Sequence, residues 1–550
     1  MSSKVISADL LAKMFLAGAK YLENNKDYIN ELNVFPVPDG DTGTNMTLTI
    51  LSAAKELNSL SETTMETVCK AVSGGSLRGA RGNSGVILSQ LIRGFTRVAS
   101  NYNELNVAVL DEAAQKAVKT AYKAVMKPKE GTILTVASGI ANKAAELHEA
   151  GVEDLGEFLK EVVQAAKDTL ATTPDLLPVL KEAGVVDSGG QGLVEVLNGA
   201  YDMYMGKEID LTFNAQGGKK AEKEQPKEEL RFSYSAEFEV LLNRNFNIKN
   251  EKDFKEYLES IGDCILVETK EGETVKVSLN TNDPGLPLQK GLKYGELSDI
   301  KIVNMKIKAN NSSHPAAPAP APAPVKKNEP KKKYGFIAVS VGDGLSEIFT
   351  SLGVDYIISG GQTMNPSTED MLNAIDNVNA ENIFILPNNK NIIMAANQAR
   401  DLTTDKKIIV IPTKTIPQGI TAVINFVSEY EPEENEAAMV EGISNVKTGQ
   451  VTYAVRDTMI DNHEIHQDDF MGIGDKGILS VGKDRDQVTL EMIKALVDDD
   501  TELISIYNGS DVSDEEAESF KATLEENFPD IDIEMQPGGQ PIYYYIISVE

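Results

Sequence analysis

Hydrophobic positions in the first 213 residues recur at helical spacing. Leu10, Leu11, Met14, Gly18, Tyr21 and Leu22 follow an i, i+3, i+4 rhythm behind Ser7, a candidate N-cap, and Met46, Ile50, Leu51, Ala54 and Leu57 repeat it. Comparable stripes over 65–72, 86–98, 112–126, 137–148 and 155–170 predict further helices. The connections between them are short, which predicts an antiparallel bundle. The apolar run from Leu10 to Leu16 is interrupted by Lys13 and has no cleavage-site pattern, so it reads as a domain helix and not as a secretion signal.

From residue 231 the pattern changes. Strand-like stretches at 231–242, 264–269, 274–280 and 299–307 are interleaved with helical stretches at 251–261 and 286–296. The order β-α-β-β-α-β predicts an α+β ferredoxin-like sandwich. From residue 334, near-continuous Val and Ile runs ("FIAVSV", "DYIISGG", "NIFILP", "KIIVIP") alternate with helical patterns starting at Thr368 and spanning 390–400. Such runs predict an α/β domain with a mainly parallel sheet covered on both faces. Beyond about Pro417 the pattern is helical, then mixed, and ends on the strand-like "PIYYYIISVE", which signals a second α/β layer only weakly.

Two stretches read as linkers. Residues 214–230 carry almost no apolar side chains, and 309–333 hold an Ala-Pro tract followed by lysines. Alternating proline fixes φ and favours an extended, stiff spacer, so the geometry between the flanking domains is expected to vary. The chain thus divides into a helical domain (1–213), an α+β middle domain (231–308) and an α/β domain (334–550), as a length of 550 residues leads one to expect.

Composition narrows the classes. Apolar content of 41% and charged content of 25% are ordinary for a soluble chain, and no stretch is long and apolar enough for a membrane span. The formal charge of −31 repels phosphate backbones, so nucleic acid is not an expected partner. Two cysteines, Cys69 and Cys264, exclude a disulfide scaffold and fit a reducing cytoplasm.

The chemistry concentrates in glycine-rich loops of the first domain. "NVFPVPDGDTGTNM" places Asp39 and Asp41 two residues apart on a turn that leads into a helix. Two such carboxylates can aim at one point, and hard divalent cations prefer oxygen ligands. A plain Asp-Gly turn with one Asp capping the helix is the simpler alternative. "GGSLRGARGNSGVILSQ" then opens a second helix, where small residues let backbone N–H groups approach an anion and Arg78, Arg81, Asn83 and Ser84 are candidate anion ligands. It lacks the GxxxxGK[ST] of a P-loop and the preceding strand of a dinucleotide fingerprint. "GVVDSGGQGL" opens a third helix in the same way.

Jointly, "PDGDTGTNM", "GARGNSGVILSQ", "KPKEGTILTV" and "GVVDSGGQGL" resemble the nucleotide-binding L-type domain of dihydroxyacetone kinases. With "VFPVPDGDTGTNM" and the later "GGQTMNPST", the chain is more similar still to the kinase subunit of bacterial fatty acid kinase, over essentially its whole length. The resemblance implies an all-α, eight-helix antiparallel barrel holding Mg-ATP at one end. It implies that Asp39 and Asp41 coordinate a pair of Mg2+ ions and that Arg81 contributes to catalysis. Asn33 stands near the position where dihydroxyacetone kinases supply a third aspartate, and a neutral amide there is a weaker ligand. Thr44, Asn45, Asn83, Ser84 and Gly85 would surround the phosphates, with Thr132, Ile133, Asp187 and Gly189 near the nucleoside. A fatty-acid carboxylate is already anionic at neutral pH and needs no general base. His148, at a helical position, fits a surface or packing role.

Relatives carry a Cys and two His in the middle domain, a set suited to zinc. Here the matching positions are Ser235, Ser278 and Asn280, so no zinc is expected. For the last domain the resemblance implies a fold similar to fatty-acid-binding partner proteins and a role in docking them. The loops "GGQTMNPST", "LPNNKN" and "PTKTIPQG" follow three predicted strands, at the carboxyl edge where open α/β sheets bind ligands. His463 and His466 near Asp461 and Asp468 read as a solvated loop before a metal site. No stretch reads as a long acyl tunnel, which suits a substrate borne by a separate fatty-acid-binding carrier. The leading expectation is an ATP-dependent phosphotransferase making acyl phosphate. The alternatives are a nucleotide-sensing scaffold and a dihydroxyacetone-type kinase subunit. Oligomeric state is open, a homodimer being one option.

Overall fold

The computed structural model describes residues 5–35, 39–125, 127–213, 234–242, 254–255, 257–258, 262–270, 274–281, 285–304, 331–361, 364–454, 457–460, 463–475 and 477–550. The linker 214–230, most of 309–333 and most of the helix expected at 251–261 lie outside these residues.

Helices α1 (Ala8–Asn24), α2 (Lys26–Glu31), α3 (Thr42–Asn58), α4 (Met65–Arg78), α5 (Gly82–Ala99), α6 (Val107–Ala124), α7 (Ile133–Glu149), α8 (Leu155–Leu176), α9 (Pro178–Ala183) and α10 (Ser188–Tyr204) build the first domain. Each long helix turns an apolar stripe inward, and α1, α3, α4, α5, α6, α7, α8 and α10 pack in that order, with α10 returning to α1. Ser7 caps α1 as expected, its hydroxyl accepting from Leu10 N–H. Where α10 crosses α1 the backbones nearly touch: a Cβ on Gly199 would stand 2.4 Å from Ala17 O, and one on Gly18 2.6 Å from Val196 O. Inside the ring lies an apolar cavity of about 250 Å3, lined by residues such as Met14, Leu88, Phe95 and Phe158. No motif announces it, because its lining is simply the inward faces of amphipathic helices.

The middle domain carries β1 (Tyr234–Leu242), β2 (Gly262–Lys270), β3 (Thr274–Thr281), α11 (Gly285–Gly291) and β4 (Gly295–Asn304). Its antiparallel sheet has the order β2-β3-β1-β4, the arrangement a β-α-β-β-α-β chain calls for. The register sets Ser235 opposite Asn280 and Glu237 opposite Ser278, so the positions aligned with a zinc site do lie on neighbouring strands. The domain forms a compact unit of its own.

The last domain joins the helical domain in one compact unit. It opens with β5 (Lys332–Ser340), α12 (Asp343–Ser351), β6 (Tyr356–Ser359), α13 (Thr368–Asn377), β7 (Ala380–Leu386), α14 (Ile393–Leu402) and β8 (Lys407–Val410). These strands form a fully parallel sheet of order β6-β5-β7-β8. The strand β5 takes in Lys332 and Lys333, which the charge pattern places in the linker, because Lys332 pairs with Ala380 and its ammonium meets Asp355 at 2.6 Å.

After α15 (Ile416–Ile424) and α16 (Pro432–Ser444) come β9 (Lys447–Tyr453), β10 (Thr458–Ile460), β11 (His463–Ile465), β12 (Phe470–Gly474), β13 (Gly477–Gly482), α17 (Arg485–Leu496), β14 (Leu503–Asn508), α18 (Asp514–Asn527), β15 (Asp532–Pro537) and β16 (Tyr545–Val549). The second sheet, β13-β12-β9-β16-β14-β15, corrects the expectation of a mainly parallel domain: only β14 and β15 are parallel there. At one side of this sheet β12 and β13 are short and glycine-bearing, so they lack the Val/Ile runs that marked the first sheet.

Candidate functional site

The turn at 39–41 is shaped from below by Asn33. Its buried Oδ1 accepts from Asp41 N–H (3.2 Å), Thr42 N–H (3.1 Å) and Thr42 Oγ1 (2.8 Å), while Gly40 supplies a left-handed φ of 64°. That oxygen is the only side-chain atom of Asn33 suited to a hard cation, and three donors already hold it. Asn33 therefore organises the loop that carries both aspartates.

Asp41 occupies the N-cap position of α3 but makes no capping bond with its side chain, which removes the simpler reading of the turn. Asp39 and Asp41 instead face each other. Burial first, then the charge of Asp41, push the Asp39 carboxyl up to about 8. Burial likewise raises Asp41, against hydrogen bonds from Asn45 and Asn365. Two half-desolvated carboxylates in contact favour a positive partner. Their hard oxygens fit Mg2+, which takes one or two carboxylates and completes its shell with water and phosphate. Among the described residues no three Asp, Glu, His or Cys side chains converge so as to hold a metal ion, so the pair would rely on those other oxygens.

The loop before α5 packs against α3, the helix that follows this pair. Gly82 sits at φ 56°, and a Cβ there would meet the Asn45 amide at 2.6 Å. Gly85 is held against Thr49, where a Cβ would stand 2.3 Å from its hydroxyl. The first turn of α5, with Asn83 and Ser84, has no side-chain cap and opens onto a cleft. Thr44 is clamped by Asn30, which accepts from its N–H and donates to its hydroxyl. Thr132, at the N-cap of α7, donates its hydroxyl to Lys129 O. Asp187 is fully buried and accepts from Gly190 N–H (2.7 Å) and from Ile133, tying the starts of α7 and α10 together beside Gly189; burial pushes it up to about 6. Asn83, Ser84, Thr132, Ile133, Asp187 and Gly189 thus line one cleft of about 1050 Å3.

The opposite wall comes from the α/β domain, which the motifs of the first domain did not reveal. Ile393, Met394 and Asn397 of α14 face the cleft. In the loop after β7, Asn391 donates its amide to Asp39 Oδ2 at 2.6 Å and accepts from Asn83 at 3.0 Å. In the loop after β6, Asn365 donates to Asp41 Oδ2 at 2.6 Å, and its backbone carbonyl accepts from Arg81 Nη1 at 2.9 Å. Arg81 also stands 3.6 Å from Asp370. These are the carboxyl-edge loops of a parallel sheet, where such sheets bind ligands.

Charge completes the cleft. Arg93, Arg97, Lys116, Lys119 and Lys123 line it from α5 and α6, Lys390 and Lys414 from the α/β domain, and none of them forms an ion pair among the described residues. In a chain of net charge −31 this is a local reversal of sign, and a cleft with low-dielectric walls focuses such a field on anions. Among the described histidine side chains, His148 meets Asp111 at 2.8 Å on an exposed helix face, and His466 is exposed near Asp457 and Glu464.

Three segments match family descriptions: residues 36–202 the DAK2 domain, 231–312 the middle domain of FakA-like fatty acid kinase proteins, and 335–550 their C-terminal domain. Protein YloV of Bacillus subtilis is 42% identical, with all of both chains covered. The uncharacterized protein SAR1202 of Staphylococcus aureus is 41% identical, with 99% of each covered. Among solved structures, a fatty-acid-binding DegV family protein of Thermus thermophilus (10% identity, TM-score 0.30) and the Streptococcus pneumoniae Fatty Acid Kinase (Fak) B3 protein loaded with linoleic acid (14%, TM-score 0.28) each align over 40% of this chain and 99% of their own. The molecule is of the DAK2-containing class. It belongs to the FakA-like family of fatty acid kinase proteins.

Proposed function

We propose that the chain transfers the terminal phosphoryl group of ATP to a fatty-acid carboxylate presented by a separate fatty-acid-binding protein, giving acyl phosphate and ADP. The observation that carries this reading is the Asp39–Asp41 carboxylate pair, joined through Asn391 and Asn83 to a cation-lined cleft of about 1050 Å3. The family description, that of a fatty acid kinase, supplies the acceptor class.

Bound Mg2+ would supply charge neutralisation of the triphosphate, the main requirement of phosphoryl transfer. Asp39 and Asp41 would hold it. The uncapped first turn of α5, with Asn83 and Ser84, would direct N–H groups at phosphate oxygens, and Gly85, whose own N–H is taken by Arg81 O, would keep that turn close to α3. Thr132, Ile133 and Gly189 line the side assigned to the nucleoside, where Asp187 serves as a buried strut and not as a ligand. Arg81, held by Asn365 and Asp370, stands beside the phosphate end and balances developing charge there. The acceptor carboxylate arrives ionised, so no general base is required, and the nucleophilic oxygen displaces ADP directly.

The test is the purified chain with Mg-ATP and a fatty-acid-binding protein carrying oleate, with acyl phosphate trapped by hydroxylamine. Hydroxamate formed in step with ADP is the expected result. ATP consumption with dihydroxyacetone and its carrier, and none with oleate, would overturn the assignment; nucleotide binding without either product would leave the scaffold reading.

A further inference from the structure

The α/β domain does more than flank the carboxylate pair. Asn365 and Asn391 come from two different loops, each donates an amide N–H to one Asp at 2.6 Å, and both are buried, at 2% and 6% exposure. The loops are built to aim them. Asn389 Oδ1 accepts from Asn391 N–H at 2.8 Å, and Asn388 donates to Val339 O from a left-handed φ of 55°, a conformation asparagine adopts more readily than most residues. On the other loop, Thr368 N–H reaches Ala80 O of the helical domain at 3.1 Å, next to the Arg81–Asn365 bond.

The choice of an amide matters chemically. A lysine or arginine in these places would neutralise the carboxylates. An amide is neutral, so it fixes the orientation of each carboxylate through a charge-assisted bond and leaves the negative charge in place. A carboxylate offers about four lone-pair sites, so one donor does not exhaust it. The two amides also differ at their other end. Asn391 Oδ1 accepts from Asn83, whereas Asn365 Oδ1 is buried and has no partner among the described residues. A buried acceptor without a donor is costly, and this one lies beside the proposed cation position. A water held by the cation is a donor of the right kind.

Resting on the reading that Asp39 and Asp41 hold a divalent cation, we propose that Asn365 and Asn391 are positioning residues which complete the metal site from the α/β domain. They orient the two carboxylates, and Asn365 Oδ1 receives a proton donor from the cation's water shell.

The test is Mn2+ affinity of the full chain, followed by electron paramagnetic resonance of free ion, without nucleotide or turnover. Partners in this position typically change metal affinity about 10- to 100-fold, so Asn365→Ala and Asn391→Ala should each weaken binding by roughly tenfold or more. Gln398→Ala, which removes the contacts of Gln398 with Gln90, Leu77 O and Thr368, should leave affinity within about twofold, since it touches the same domain seam away from the carboxylates. Equal or tighter Mn2+ binding in the asparagine variants would overturn the proposal and make these amides a latch competing with the cation. An equal loss in Gln398→Ala would overturn it too, by reducing both to interface packing. Should one alanine variant fail to fold, the other, on its separate loop, carries the comparison. Asp39→Asn separates the two levels: Mn2+ binding that survives there defeats the metal-site reading itself, while its loss there alongside unchanged binding in the asparagine variants defeats only this inference.

Discussion

Asn391 places its amide nitrogen 2.6 Å from Oδ2 of Asp39, although 352 positions separate the two in the chain. The site is therefore a product of both domains of one compact unit, and its behaviour under mutation should reflect both.

Replacing Asp39 or Asp41 by Ala should abolish turnover, by roughly a thousandfold or more, since a cation at this point contributes several kcal/mol of charge stabilisation. The metal-free variants should stay folded, because both side chains stand on the turn ahead of α3 and outside the apolar core. Acyl-phosphate assays and apo thermal melts check both halves; undiminished activity removes that residue from the site.

The cationic wall should set nucleotide affinity and its salt dependence. Lys116→Glu, Lys119→Glu or Lys123→Glu should each weaken ATP binding about twofold to fivefold at low salt, the scale of one exposed charge pair. The difference should shrink above about 0.5 M salt as screening takes over. Titration calorimetry at two ionic strengths decides it.

Asp187 predicts a pH signature. Its folded value, about 6, lies above the ordinary 3.8, so the folded state holds the proton more tightly than the unfolded chain. The associated stability is present below pH 4 and is lost as pH rises towards 6, by roughly 3 kcal/mol for a shift of about two units. Asp187→Asn keeps an acceptor for Gly190 N–H and has no charge to bury. Relative to the parent it should flatten the stability slope between pH 4 and 6 and be more stable at pH 7, as denaturant melts across that range would record.

The α1–α10 crossing depends on bare backbone. Gly199→Ala would drive a Cβ to 2.4 Å from Ala17 O, so the helices must separate, at about 1–3 kcal/mol. A lower denaturant midpoint with unchanged slope is the expected result.

Much of this was legible in the sequence because it rests on local rules. Apolar stripes located the long helices, though the expected start at 112 moved to Val107, where Asn106 caps α6 through its side chain. Val and Ile runs located the parallel sheet. The Asp-Gly-Asp turn and the glycine loops marked candidate cation and anion ligands, the family resemblance implied that they meet at one end of a helical barrel, and the structure brings Asn83, Ser84, Thr132 and Asp187 to a common cleft. What escaped has no local signature. An asparagine reads the same whether its oxygen faces a cation or, as in Asn33, three donors of its own loop. The glycine-bearing strands β12 and β13 gain their order from neighbours, β12 pairing antiparallel with β9 and β13 with β12. The bonds of Asn365 and Asn391 join residues more than 300 positions apart, beyond any periodicity.

That separation has a consequence for biosynthesis. A ribosome adding about 5–20 residues per second needs roughly 20–70 s to travel from Asp39 to Asn391. Throughout that interval the emerged helical domain carries both aspartates without the amides that later hold them. On the proposed reading, a nascent chain cannot be a finished kinase until its last domain has folded back onto its first, and a messenger truncated after the middle domain would yield a chain that lacks half of the site.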